Sequence, residues 1–501
     1  MVDLVRNDGL LSRGLLCSFT LAVAFGGSFP VLAAENLGAA VASVTRTDLT
    51  RHINFLASDA LEGREAGTRG GHAAAAYVTD RLKAFGALPA GEEGSYIQEF
   101  GAGYRNVLAI VPGSDPALKS EYVLIGAHLD HVGYGSRLNS NGPIGRIHNG
   151  ADDNASGVSG VLEIVEGLSR LSTPLPRSIV IAFWDGEEKG LLGSQHWAEH
   201  PTVPIDKVKL AFNLDMIGRL ASDTVTVYGS RTSIGLRQRL VLNNEASNLR
   251  FNYDYKNRDD SDHYTFFRKR IPYLMIYTGE HPDYHRPSDD ADRINFDGLE
   301  RITRLTLRTL VESAECPECA KFYDRSRDEN SASRIKYAAT PPRLGLTWSG
   351  KAQPDGSLVV IAVDDDTPAS RAGIRTGDCI THVGGVAIPE LGELRDIVRK
   401  SNGGLQLSIR KAGTDAVESI LVTLDGMPLP VGILSGIDET DPESLAVNAV
   451  ALRSEADSLG FRDGDRILRQ VPGNPSPGDS DQSSWVIERA GRMLTLPERQ
   501  N

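Results

Sequence analysis

The sequence predicts an α/β/α sandwich around a central mixed, largely parallel sheet, followed by two small β-rich domains. Three observations predict it. Between about residues 45 and 315, apolar runs alternate with amphipathic stretches, the pattern of strands and helices wound on one sheet. Four of those runs, Tyr122 to Ala127, Ser178 to Trp184, Lys209 to Leu214 and Ile271 to Tyr277, are nearly continuous in apolar residues, as strands buried on both faces are. Finally, a shift of 87 residues superposes 344–380 on 431–467 without a gap and with 12 identities in 37 positions, so the tail is a duplicated unit.

The elements follow in chain order. Arg6 and Arg13 precede the apolar stretch Gly14 to Phe25, and Val31-Leu32-Ala33-Ala34 supplies small residues for cleavage. We expect a secretory signal over residues 1–33, hence a secreted or periplasmic protein; the stretch is too short for a stable membrane anchor. The α/β domain spans 45–315. Within it Ser156 is placed to cap a helix whose Val158, Val161, Leu162, Val165, Leu168 and Leu171 recur at core-facing spacing. Residues 316–341 are charged and poor in large aliphatics, a linker closed by Pro341-Pro342, and Cys316-Pro317-Glu318-Cys319 has the spacing of a local disulfide. Two repeats complete the chain, 342–426 and 427–501. The first has Leu391, Leu394, Ile397 and Val398 at helical spacing, whereas the second has Gly473-Asn474-Pro475-Ser476-Pro477-Gly478-Asp479, which opposes a helix.

Composition excludes several classes. With 501 residues, 40% apolar and 24% charged, the chain is neither disordered nor a multi-span membrane protein. Its net charge of -13 has the wrong sign for a phosphate-backbone binder, so nucleic acid is not an expected partner. Four scattered cysteines do not make a disulfide scaffold.

The chemistry lies at the ends of the four strand runs. His128 follows the first, Glu187 and Glu188 the second, Asp215 the third, and His285 stands in the loop after the fourth. Strand carboxyl ends form the binding crevice of an open α/β sheet, so residues distant in sequence meet there. Asp153, in Gly150-Ala151-Asp152-Asp153-Asn154, is a fifth candidate. Two imidazoles and three carboxylates suit two zinc ions, with one carboxylate bridging. Asp130 is expected to accept the second imidazole N–H of His128 and so orient it. Of the adjacent glutamates, one can bind metal while the other serves as a base.

These residues carry a resemblance. His128-x-Asp130, Gly150 to Gly157, Glu187-Glu188, Asp215-Met216 and Tyr284-His285-x-Pro287-Ser288-Asp289 resemble the motif series of the co-catalytic di-zinc aminopeptidases related to glutamate carboxypeptidase, over about residues 45–315. The resemblance implies the zinc exopeptidase fold. It assigns His128, Asp153 and Asp215 to one zinc and Asp153, Glu188 and His285 to the other, with Glu187 as general base and Tyr284 as hydrogen-bond donor to the tetrahedral intermediate. It also implies a cis peptide at Asp153-Asn154. Gly63-Arg64-Glu65-Ala66-Gly67-Thr68 matches the family's N-terminal pattern in a structural role, and His148, His263 and His281 are expected bystanders. The first repeat resembles a bacterial PDZ domain through Leu344-Gly345-Leu346, Thr367-Pro368-Ala369-x-x-Ala372-Gly373 and Gly377-Asp378-x-Ile380. That resemblance implies capture of a peptide C-terminus by strand addition; the second repeat is expected to be a degenerate copy without a groove.

The expectation is therefore a secreted metallo-aminopeptidase acting on peptides through a zinc-bridging hydroxide. A carboxypeptidase or other amidase with the same metal centre, and a PDZ-based adaptor with a vestigial hydrolase, remain the alternatives.

Overall fold

The computed structural model describes residues 31–497 apart from 330, 332–333, 389–390 and 472–482. Residues 1–30 of the expected signal and the Gly473 to Asp479 segment lie outside the described residues.

Nine strands form the sheet of the first domain: β1 (Leu88–Pro89), β2 (Ile97–Phe100), β3 (Tyr104–Val111), β4 (Tyr122–His128), β5 (Ser178–Trp184), β6 (Val208–Leu214), β7 (Thr224–Tyr228), β8 (Arg250–Asp254) and β9 (Tyr273–Tyr277). Their order is β1-β3-β5-β4-β6-β9-β7-β8, with β2 on β3. The sheet is mixed as expected. Parallel pairing joins β5, β4, β6 and β9 in the centre and β7 to β8 at the edge, while β3 and β7 attach to the centre antiparallel. The fourth strand starts at Tyr273, two residues after the predicted Ile271, because Pro272 has no N–H to give a ladder.

Eight helices accompany these strands: α1 (Val31–Ser43), α2 (Arg46–Leu56), α3 (Arg69–Ala84), α4 (Gly157–Ser169), α5 (Leu192–Glu199), α6 (Leu236–Asn243), α7 (His263–Arg268) and α8 (Phe296–Glu315). Alternate residues of the central strands enter two cores. Val123, Ile125, Ile179, Ile181, Leu210 and Phe212 pack with α2, α3, α4 and α8, whereas Leu124, Val180, Trp184 and Ala211 pack with Trp197 of α5 and Phe266 of α7. That is the α/β/α sandwich. No helix among the described residues is long and apolar enough to cross a membrane.

The repeat is visible in the tail. The short helix Pro368–Arg371 recurs as Glu455–Ser458, and strand Cys379–Val383 recurs as one beginning at Arg466. Asp378 accepts the N–H of Arg375, and Asp465 that of Arg462, which closes the same turn in both copies. Leu394 of the first repeat's helix, Leu391–Lys400, is fully buried.

Segment 316–341 differs from a free linker. Arg177 gathers the carbonyls of Ala314, Cys316 and Pro317, Cys319 is buried in the core, and Ala338–Ala339 pairs antiparallel with Ile433–Asp438 of the second repeat. Cys316 and Cys319 are free thiols, which corrects the disulfide expectation, and burial pushes the Cys319 thiol up to about 11. The segment docks through polar groups, so its lack of aliphatics did not mean solvent exposure.

Candidate metal centre

β4 stands between β5 and β6, so the chain crosses from one side of it to the other, and the carboxyl end of β4 is the switch point of the sheet. His128 is its last residue. Around it gather Asp215 just past β6, Glu187 and Glu188 in a single turn after β5, and Asp153 in the loop entering α4. His285 comes from the loop after β9 with φ 52°.

Two donor sets share Asp153. His128 Nε2 lies 3.2 Å from Asp153 Oδ1 and 3.2 Å from Asp215 Oδ1. His285 Nε2 lies 3.1 Å from Asp153 Oδ2 and 3.1 Å from Glu188 Oε2. Donors held about 2.0–2.1 Å from a common tetrahedral ion stand about 3.3 Å apart, so both sets have the spacing of a zinc site. His285 Nε2 meets neither carboxylate in hydrogen-bond geometry and is a buried atom without a hydrogen-bond partner. It stands at the same 3.1 Å from an oxygen of each carboxylate. The residues present thus fit a metal centre, in two donor groups that share Asp153.

Electrostatics agree. Burial alone would lower the His128 imidazole, and Asp215, Glu187 and Asp153 override it, holding it well above its ordinary value. For His285 the same contest, burial against Asp153 and Glu188, ends at about 10. The site carries anionic charge that asks for cations.

The loop bearing Asp153 is fixed from several sides. Its peptide to Asn154 is cis. Asn154 Nδ2 donates to Leu214 O, Gly218 N donates to Asp152 Oδ1, and Asp289 Oδ2 accepts the N–H groups of Asp152 and Asp153. Ser156 does not cap α4; its hydroxyl donates to Asp152 O and accepts from Ile217 N, while Asn154 Oδ1 takes the N–H of Gly157.

Asp130 departs from expectation. His128 Nδ1 sits 3.2 Å from the backbone carbonyl of Asp130 and 3.9 Å from its carboxylate. The carboxylate instead accepts the N–H of Glu187 at 3.0 Å, fixing the turn that carries both glutamates. With its carboxylate engaged by the Glu187 N–H, Asp130 meets the imidazole through its carbonyl.

Other residues fall as follows. The Tyr284 ring stacks on His285 with centroids 3.9 Å apart, and burial first, then Asp153 and Glu188, push its phenol up so that it stays a neutral donor. His148 bonds Ser140 and the Arg146 carbonyl, and His263 packs on Tyr273, burial driving it down to about 3. His281 stands 3.2 Å from Asp152, behind the bridging loop. Three further residues support the site, two of which, His131 and Ser261, escaped the sequence. His131 Nδ1 lies 2.8 Å from Glu188 Oε1, Ser261 Oγ donates to Asp215 Oδ2 at 2.6 Å, and buried Arg64 donates to the carbonyls of Leu56, Leu129, Asn149 and Gly150. Only Arg64 lay in a motif; no sequence spacing marks the other two.

Residues 106–310 match the profile of peptidase family M28, and residues 359–410 that of a PDZ domain. Residues 106–310 are thus similar to peptidase family M28. The chain is 25% identical over 368 residues to leupeptin-inactivating enzyme 1 of Streptomyces exfoliatus, covering 71% of this chain and 75% of that one. It is 25% identical over 308 residues to probable leucine aminopeptidase 1 of Trichophyton verrucosum, covering 56% and 78%. Among solved structures, Legionella pneumophila LapA aminopeptidase matches with a TM-score of 0.47 and 20% identity over 56% of this chain and 75% of that one. The chain thus carries a peptidase region similar to family M28, with a PDZ domain behind it.

Proposed function

We propose that this protein is a secreted, dinuclear zinc aminopeptidase that removes N-terminal residues from peptides, with Glu187 as general base. The observation that carries it is the pair of donor sets sharing the two oxygens of Asp153. The names of the relatives, leucine aminopeptidase and leupeptin-inactivating enzyme, support the N-terminal direction.

When bound, the two zinc ions supply Lewis acidity toward the scissile carbonyl and lower the pKa of water. The chain's residues do the rest. Burial raises the Glu187 carboxyl well above its ordinary range; His128 pulls it back while Glu188 and Asp215 push it further. A carboxyl so placed takes a proton from water and returns it to the leaving amine. Asp130 holds its backbone in place. The neutral Tyr284 phenol donates to the oxyanion that develops on the carbonyl. Asn141 fixes Tyr284 and His285 through their carbonyls, at 3.0 and 2.9 Å. The domain division supports a peptide C-terminus binding the first repeat, 342–426, with the second, 427–501, as a structural cap.

The test is hydrolysis of a leucyl amide, the same substrate N-acetylated, and a peptide with an amidated C-terminus, beside zinc analysis. Cleavage that survives amidation and is abolished by acetylation supports the reading. Cleavage that instead requires a free carboxylate replaces it with a carboxypeptidase.

A further inference from the structure

The five-residue ligand set leaves one imidazole of the centre without a role. His131 is the third residue after His128, and its side chain is fully buried. Nδ1 faces the second donor set, 2.8 Å from Glu188 Oε1 and 3.6 Å from Asp153 Oδ2. Its ring meets that of His285 edge to face, centroids 5.5 Å apart and planes at 80°. His131, Asp153, Glu188 and His285 can each place one donor atom within 4.8 Å of all the others.

We propose that His131 is a fourth protein ligand of the second cation, bound through Nδ1. This rests on the dinuclear reading above. The distances around that set, 2.8, 3.1, 3.1 and 3.6 Å, scatter about the edge of about 3.3 Å expected for donors on one tetrahedral ion. Either nitrogen of a neutral imidazole can ligate, and Nδ1 is the one aimed at the cation. The backbone is built to seat the ring here. His131 N donates to Arg64 O, and its Cα pairs with Glu65 in an isolated parallel bridge. At Gly150, φ 56°, an added Cβ would stand 2.6 Å from Cγ and Cδ2 of the ring, so only glycine lets the bridging loop pass beside it. A competing role, hydrogen-bond donor to Glu188, would leave the geometry toward Asp153 and His285 unused.

The consequence is a division between the two cations. With His131 the second set offers four protein donors, the number that closes a zinc site, whereas His128, Asp153 and Asp215 offer three, the number that leaves a position open.

The experiment uses the full chain loaded with cadmium-113 and labelled with nitrogen-15 histidine. Three histidine side chains, His128, His131 and His285, should show nitrogen–cadmium coupling, that of His131 at Nδ1, and its signal should vanish in His131→Gln. Chelator competition should show one cadmium of that variant held at least tenfold more weakly, with the other unchanged. Two cadmium ions bound with only two coupled histidines would overturn the proposal and leave the dinuclear centre standing, making His131 a hydrogen-bond donor to Glu188. Fewer than two bound ions would overturn both. The coupling count is taken on the wild-type chain, so a variant that misfolds does not affect it.

Discussion

Arg231 of the peptidase domain and Asp438 of the second repeat form a buried ion pair, Nη1 to Oδ2 at 2.6 Å, with the side chains 7% and 1% exposed. Arg466 donates to the same carboxylate, and Arg231 also binds Glu329 of the segment expected to be a linker. Arg237 on α6 adds a second link, to Glu488. The second repeat is therefore joined to the peptidase region through buried charges, and its removal would take Asp438 from Arg231 and Glu488 from Arg237.

Asp438→Ala should take the carboxylate from buried Arg466, leave Arg231 with Glu329 alone, and cost about 3–5 kcal/mol. Thermal melting measures it, and a change under about 1 kcal/mol would show that the network contributes little. Burial would raise the Asp438 carboxyl, but Arg466 and Arg231 hold it far below the usual carboxylate range. A depressed folded value gives stability that is present above the unfolded value of about 3.9 and lost as pH falls toward the folded one. Wild-type melting should thus fall below about pH 4 more steeply than that of Asp438→Asn.

The two repeats should differ when excised. The first touches the second through Lys400 with Glu455 and Arg399 with the carbonyl of Ile433. Removing 342–426 should leave turnover of small aminoacyl amides near wild type. Removing 342–501 strips Ala338–Ala339 of its strand partner and exposes Arg231 and Arg237, and should lower the melting temperature of what remains. Equal melting of the two truncations would contradict this.

Much of this architecture was legible because apolar continuity is a one-dimensional signal. β5 has the predicted bounds, and β4 and β6 each extend one residue further. The last two strands of the sheet, β7 and β8, alternate with polar residues over five positions each, too short a pattern to separate from loops. His128, Glu188 and Asp215 could be proposed from sequence because strand ends are a topological address, and the structure brings them together with Asp153 and His285. His131 and Ser261 were not, since what defines them is a distance across the fold. The linker reading failed for a related reason: a segment that packs through Arg177, Arg231 and Glu329 carries polar composition into a buried position.

Glu187→Gln should keep its metal content and lose about 10²–10⁴-fold in turnover, because a base is removed while the donor sets stay. Asp153→Ala should lose both cations, since each donor set uses one of its oxygens. Metal analysis beside kinetics separates the two outcomes. Metal loss in Glu187→Gln would make that residue a ligand.

Arg64→Met should destabilise the centre from behind. Its guanidinium serves four carbonyls at 2.6 to 3.1 Å, tying α2 to the residue after His128 and to the loop before Asp153. Burial lowers it to about 10, with Asp153 and Asp130 opposing, so it remains charged at neutral pH. Stranding those carbonyls costs about 1–3 kcal/mol each where water cannot reach them. Melting should drop and zinc should be released to chelator more readily; loss of stability with unchanged zinc retention would confine Arg64 to the fold.

Ser261→Ala tests the support of the open cation position. Ser261 Oγ donates to Asp215 Oδ2 at 2.6 Å and accepts from Asn213 Nδ2 at 2.8 Å, and Ser261 is fully buried. That chain fixes one oxygen of Asp215 and leaves Oδ1 aimed toward His128 Nε2. Loss of such support costs about 10–100-fold in metal affinity. The effect should fall on one of the two zinc ions in chelator competition, and excess zinc should restore turnover because no group that touches substrate has changed. If turnover stays low at saturating zinc, Ser261 acts on the reaction itself and the positioning role is wrong.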